Sequence, residues 1–234
     1  MSKKILVIAA HPDDEILGCG ATIAQHTRTG DQVDVVILAE GLTSRSNQRD
    51  RNIYQKELSS LEATAQRANL LLGVNSLYLH DFPDNRMDSL ELLDVIKTVE
   101  KLVSKYQPDL IYTHHGGDLN IDHRIIHEAV LTACRPLPQQ FVRTILFFEV
   151  ASSTEWQPFQ SAPLFIPNWF VDITSTLELK LKALEIYHSE MRPWPHARSI
   201  KALKHLAHWR GASVGVEAAE AFMLGRNLLG EKEL

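Results

Sequence analysis

The segment His11-Pro12-Asp13-Asp14-Glu15 sets an imidazole beside three carboxylates, and a second polar run, His114-His115-Gly116-Gly117-Asp118-Leu119-Asn120-Ile121-Asp122-His123, follows far along the chain. These side chains are of the types that can ligate a divalent metal. Asp14 lies three positions after His11, so both can turn toward one point, and His123 would arrive from the second run. Two imidazoles and one carboxylate form the open ligand set typical of catalytic zinc, which leaves a fourth position for water. Zinc would bring the pKa of that water to about 7. Asp13 adjoins a ligand but aims elsewhere, as a general base for the water would. The same donors also accommodate ferrous iron. The set lacks the thiolates of a closed structural zinc site.

For the two runs to meet, the elements before them must end side by side. Lys4 to Ala9 is a continuous apolar run, the pattern of a strand buried on both faces. A helix is expected from about Asp14 to Thr29, closed by Gly30, and a second strand over Val33 to Ala39. A long helix follows over Asn47 to Leu72, then a strand at Ser76 to Leu79 and a helix at Asp88 to Tyr106. Asp109 to Thr113 reads as strand, Asp122 to Cys134 as helix and Ile145 to Val150 as strand. This rhythm predicts an α/β, mostly parallel sheet with helices on both faces; if the sheet is doubly wound in the Rossmann-like manner, its order is 3-2-1-4-5. Strands one and four are then neighbours at the point where the winding reverses, which is where such sheets bind ligands.

Beyond Val150 the rhythm loosens. Pro158, Pro163 and Pro167 mark a surface excursion, Asn168 to Ile173 an extra strand, and three further helices are expected: Leu177 to Glu190, Ser199 to Trp209 and Val216 to Leu229. The whole chain is expected to be one domain, with residues 1–150 as the α/β core and 151–234 completing a cleft. The apolar C-terminal helices could pack against a second copy, giving a homo-oligomer.

Each chemical reading has an ordinary structural one beside it. Asp13, Asp14 and Glu15 at a helix start satisfy capping and the macrodipole without any metal. Asp122 could cap the helix that carries His123, His127 reads better as a half-buried helix histidine, and His114 and His115 could simply end a strand. Gly18-Cys19-Gly20 offers a dinucleotide-like G-x-G, but Ile23 stands where the third glycine belongs and the pair falls inside the helix. Small residues there favour close packing of helix on sheet. No G-x-S-x-G elbow or phosphate-binding glycine loop is found elsewhere.

With 24 Lys plus Arg against 29 Asp plus Glu, the chain of 234 residues carries a net charge of -5, which argues against a nucleic-acid partner. Cys19 and Cys134 are far apart and read as reduced core thiols. The apolar run after Met1-Ser2-Lys3-Lys4 stops too early for a signal peptide, and no stretch is long enough for a transmembrane segment. A cytoplasmic protein is expected.

Ala10-His11-Pro12-Asp13-Asp14-Glu15 with Gly18-Cys19-Gly20 resembles the opening motif of the PIG-L/LmbE-like deacetylases, and Gly117 to Arg124 resembles their second metal motif. The likeness extends to Phe82-Pro83-Asp84-Asn85-Arg86-Met87-Asp88, to Pro195-His196-Ala197-Arg198-Ser199 and to Gly215 to Phe222, and so spans nearly the whole chain. It implies a zinc-dependent hydrolase that removes the N-acetyl group from an N-acetylglucosamine-type amino sugar or glycoconjugate and releases acetate. His11, Asp14 and His123 would bind the metal, and Asp13 would be the base. Many members carry His-Pro-Asp-His at the second motif, whose first His handles the leaving amine and is oriented by the Asp; here Asn120 stands in its place. Asparagine can donate a hydrogen bond but cannot deliver a proton, so Asp13 serves in both steps, or His196 or His115 takes the role. Arg45, Arg51, Arg86 and Arg198 are candidate substrate contacts, with Arg86 and Arg198 favoured because they lie in matching segments. Trp156, Trp169 and Trp194 are candidates for an aromatic wall. The rival reading is a non-catalytic sugar- or nucleotide-binding module on the same fold.

Overall fold

The computed structural model describes residues 2–138 and 140–230. One seven-stranded sheet runs through it. Its first five strands are β1 (Lys4–Ala9), β2 (Gln32–Ala39), β3 (Ser76–Phe82), β4 (Leu110–His114) and β5 (Thr144–Phe148). They are all parallel, as the alternation of apolar runs predicts, and lie in the order β3-β2-β1-β4-β5 of a doubly wound sheet. β1 sits between β2 and β4 and is buried on both sides. Ile5, Val7 and Ala9 pack into one core with α1 (Asp14–Arg28) and α2 (Gln55–Leu71), while Leu6, Ile8 and Ala10 pack into the other with α3 (Leu92–Tyr106) and α4 (Ile121–Ala133). The change of face between these helix pairs places the carboxyl ends of β1 and β4 at the mouth of a crevice. A bond from the Ala10 N–H to Nε2 of His114 (2.8 Å) ties the two ends together.

The chain after β5 departs from expectation. β6 (Trp169–Asp172) is the extra strand, followed by α5 (Leu177–Ile186) and α6 (Ile200–Ala212), the latter capped by Ser199. The segment expected as a helix over Val216 to Leu229 is instead β7 (Ala219–Asn227), antiparallel to both β5 and β6 and lying between them. Its Ala, Glu, Met and Leu residues favour helix locally, but β5 would otherwise leave a row of backbone groups unpaired, and sheet pairing wins. The helix expected from Asn47 also begins later, at Gln55. The carbonyls of Ser46 and Asn47, which a helix would use, are taken by Arg86 (2.8 and 3.0 Å). Arg49 likewise leaves the helix path to pair with Glu40.

α1 is broken at Cys19, whose φ and ψ are -147° and 23°. The break leaves backbone groups without helical partners, and a buried ion pair supplies them. Glu220 on β7 accepts the N–H groups of Ala21 (3.1 Å) and Thr22 (2.7 Å). Lys180 on α5 reaches both the Leu17 carbonyl (2.8 Å) and Glu220 (2.6 Å). The flanking glycines are there for close approach, as their place in the helix suggests: a Cβ on Gly18 would lie 2.3 Å from the Phe148 ring. Cys19 and Cys134 are both buried and free. Among the described residues no helix is long and apolar enough to cross a membrane.

Candidate metal centre

Three loops converge at the crevice: His11 to Glu15 after β1, His115 to Asn120 after β4, and Pro83 to Arg86 after β3. The first turns sharply at Asp13, whose φ of 122° is a conformation that residues other than glycine rarely adopt. Glu15 holds it there by accepting the Asp13 N–H (3.0 Å), and is itself gripped by Asn69 and Tyr187 at 2.8 Å each. Burial pushes the Glu15 carboxyl up to about 7. The strained corner sends Asp13 and Asp14 to different sides.

Asp14 is fully buried and stands between two imidazoles. Its Oδ2 lies 3.1 Å from Nδ1 of His11 and 3.1 Å from Nε2 of His123. One donor atom from each of the three residues lies within 4.8 Å of the others. Ligand atoms at tetrahedral angles around zinc, each about 2.0–2.2 Å from it, are themselves about 3.3 Å apart. Burial alone would raise the Asp14 carboxyl, but the two imidazoles overcome it and hold it well below the usual carboxylate range. Burial pulls His123 down, and Asp14 with Asp118 more than reverses this, to about 9. The decisive observation is an unmet need. Oδ1 of Asp14 and Nε2 of His123 are buried with no hydrogen-bond partner, as are, among the described residues, Nδ1 of His114, His115 and His123, Oγ1 of Thr22 and Oδ1 of Asn69; of these residues only Asp14 and His123 belong to the three-residue group. Buried polar groups are almost always paired, and a divalent cation fits this donor set.

Around these three residues the imidazoles are braced. Nε2 of His11 bonds Asp122 (3.1 Å), which also accepts the N–H groups of Asn85 (2.7 Å) and Met87 (3.0 Å). Asp122 is therefore not the cap of α4; Asn120 is, accepting the Asp122 N–H at 2.8 Å. His114 stacks on His123 with ring centroids 3.9 Å apart. His11, Asp84 and Asp122 form a second close group, but the oxygens of both carboxylates are already engaged by Ser44, Asn85, Met87 and His11.

Asp13 faces Arg198, whose Nη1 donates to it at 2.7 Å while its Nε donates to Ser152 (2.7 Å). Burial pushes the Asp13 carboxyl up and Arg198 opposes this. The structure thus brings together His11, Asp13, Asp14, His123 and Arg198. His196 adjoins Arg198, with Nδ1 accepting the Arg198 N–H (3.0 Å) and its ring edge-on to Trp156. The Nδ2 of Asn120 is turned to Asn85 (2.7 Å), and Arg86 is occupied with the carbonyls of Ser46 and Asn47. Arg45 and Arg51 are paired with Glu190 and with Glu40 and Asp81. His115 meets the Pro163 carbonyl, and His127 the carbonyl of His114. Sequence reasoning missed the pairing of Arg198 with Asp13 and the contact of Asp118 with His123. Their separation in the chain hides the first, and the second carried no motif beyond its place in the polar run.

The family model described as PIG-L, GlcNAc-PI de-N-acetylase, matches residues 6–134. The chain is also 31% identical over 193 residues to the uncharacterized deacetylase YaiS of Escherichia coli, covering 80% of this chain and 91% of the relative. The chain belongs to the PIG-L family. Within reach of this PIG-L chain is the diacetylchitobiose deacetylase of Thermococcus kodakarensis, 26% identical over 80% of this chain and 70% of the relative. Among solved structures, GalB of Pseudomonas putida, a 4-carboxy-2-hydroxymuconate hydratase, shares the fold with a TM-score of 0.75 at 22% identity, over 98% of both chains. The fold therefore carries more than one reaction, and the side chains at the crevice must decide between them.

Proposed function

We propose that this chain is a metal-dependent hydrolase that removes the N-acetyl group from an N-acetylglucosamine-type amino sugar or glycoconjugate and releases acetate. The observation that carries the reading is the cluster of ligand atoms on His11, Asp14 and His123, of which the buried Oδ1 of Asp14 and Nε2 of His123 accept or donate no hydrogen bond, set next to a carboxylate at a strained backbone position. The relatives' deacetylase descriptions point the same way. His11, Asp14 and His123 would hold the ion, which we take to be zinc, with ferrous iron compatible with the same donors. Such an ion supplies Lewis acidity toward the amide carbonyl and toward a water.

The remaining work falls to the protein. Asp13 accepts the proton of the attacking water, and Arg198 keeps the carboxylate oriented through the 2.7 Å contact. In this chain the amide nitrogen must receive its proton without the histidine found in many members, because Asn120 is spent on capping α4 and on Asn85. Asp13 returning the proton it has taken is the economical route. His196 cannot share that role in this state, because its Nδ1 accepts a backbone N–H and the ring is then the neutral tautomer with its proton on Nε2, which can hydrogen-bond a substrate oxygen but not deliver a proton. Arg198 has its Nη2 left for a substrate oxygen, and Trp156 flanks the same loop.

The test is acetate release from N,N'-diacetylchitobiose and from acetylated amino sugars on lipid and nucleotide carriers, with and without a chelator. Chelator-sensitive acetate release supports the reading. Binding of sugar without acetate release would favour a non-catalytic module, and hydration of an unsaturated acid without any deacetylation would favour chemistry like that of the hydratase.

A further inference from the structure

Asp118 has no part in the chemistry above, yet it is only 1% exposed and its carboxylate touches both a candidate ligand and the turn after β5. Its Oδ1 lies 3.1 Å from Nδ1 of His123, an ion-pair contact without the alignment of a hydrogen bond. The same oxygen accepts the Asn120 N–H (2.8 Å) and the Ser153 hydroxyl, and Oδ2 accepts the Thr154 hydroxyl (2.6 Å). Thr154 Oγ1 in turn accepts the Val150 N–H (2.8 Å), closing the turn after β5. Ser152, at the tip of that turn, has a φ of 68° and receives Nε of Arg198. Arg198 ends on Asp13. One carboxylate is thus joined to His123 directly and to Asp13 through the turn at residues 150–154.

A histidine that binds a metal through Nε2 carries its proton on Nδ1 and needs an acceptor there. The carboxylate at that edge of His123 is Asp118. We propose that Asp118 is a positioning residue that holds His123 by Nδ1 and couples ion binding to the order of the turn at residues 150–154. This rests on the metal reading of the preceding subsection, and the two can fail separately. The alternative for Asp118 is a loop staple indifferent to metal; a staple would hold the turn equally with and without the ion.

The experiment uses the full chain stripped of metal and titrated with zinc against a chromophoric chelator, alongside hydrogen exchange of the turn. In the unaltered protein zinc is expected to slow exchange at residues 150–154. Asp118→Asn keeps the shape and an acceptor oxygen but loses the charge; zinc binding should weaken by about 10- to 100-fold, with the zinc-dependent slowing lost. Zinc affinity within threefold of the unaltered protein overturns the proposal, as does slowing that persists in Asp118→Asn. Should that variant fail to fold, Ser153→Ala, which leaves the carboxylate and removes one hydroxyl, decides: weaker zinc binding supports the coupling, and unchanged binding overturns it. His123→Ala checks the underlying reading, because zinc binding that survives this change refutes the ligand set whatever Asp118 does.

Discussion

The buried pair Lys180–Glu220 gives a quantitative forecast because all of its partners are identified. Removing the Glu220 carboxylate strands a buried ammonium and leaves the Ala21 and Thr22 N–H groups without their acceptors. Breaking a buried pair from one side costs about 3–5 kcal/mol, and each orphaned buried donor about 1–3 kcal/mol. Glu220→Ala would therefore lose at least about 5 kcal/mol, and about 11 kcal/mol at the upper end, comparable with the whole of the roughly 5–15 kcal/mol that a domain has. Glu220→Gln is the workable variant, since it keeps one acceptor; about 3 kcal/mol is expected. Lys180→Met removes the cation and the bond to the Leu17 carbonyl, for a similar loss of about 3 kcal/mol. In the double variant no uncompensated charge remains, so the losses should fall short of their sum by about 2–3 kcal/mol. Urea unfolding followed by circular dichroism and by tryptophan fluorescence gives the four free energies, provided the two probes coincide. Additivity within about 0.5 kcal/mol would refute the idea that the ion pair mends the break in α1.

Asp13→Asn should retain metal content and folding while acetate turnover falls by about 100-fold or more; full turnover would remove Asp13 from the mechanism. His123→Ala should lower bound zinc measured by atomic absorption, and unchanged stoichiometry would mean that other residues bind the metal. Gly18→Ala places a Cβ 2.3 Å from the Phe148 ring, an overpacking worth about 1–3 kcal/mol in thermal or urea unfolding, and Phe148→Leu should recover part of it. Burial pushes the Cys134 thiol up to about 12, so at pH 8 only about one molecule in ten thousand carries the thiolate. Ellman's reagent should therefore leave Cys134 unmodified until the protein is unfolded, and rapid labelling of the native protein at that residue would contradict its burial.

Much of the molecule is legible from the chain because the physics involved is local or periodic. Continuous apolar runs at Lys4 to Ala9 and Val33 to Ala39 require strands covered on both faces, alternation with helices makes the sheet parallel, and the doubly wound arrangement supplies the order β3-β2-β1-β4-β5. That order alone brings His11 and His123 together, since each follows the carboxyl end of a neighbouring strand. Gly18 and Gly20 mark close packing because a larger residue would run into Phe148 at the first position and into Ile16 at the second. The tertiary structure decided what depends on partners distant in sequence. The segment Ala219–Asn227 has helix-forming composition but became a strand, because only the assembled sheet presents the open edges of β5 and β6. The start of α2 moved to Gln55 because Arg86, from another loop, claims the carbonyls that a helix would need. Asp13 meets Arg198, and Asp118 meets both His123 and the turn at residues 150–154, through contacts that no spacing encodes. Residue types and their periodicity determine which side chains can do chemistry and which strand ends carry them. Orientation, pairing and the choice between competing hydrogen-bond partners are set by the packed whole, where the cost of an unmet buried group outweighs local preference.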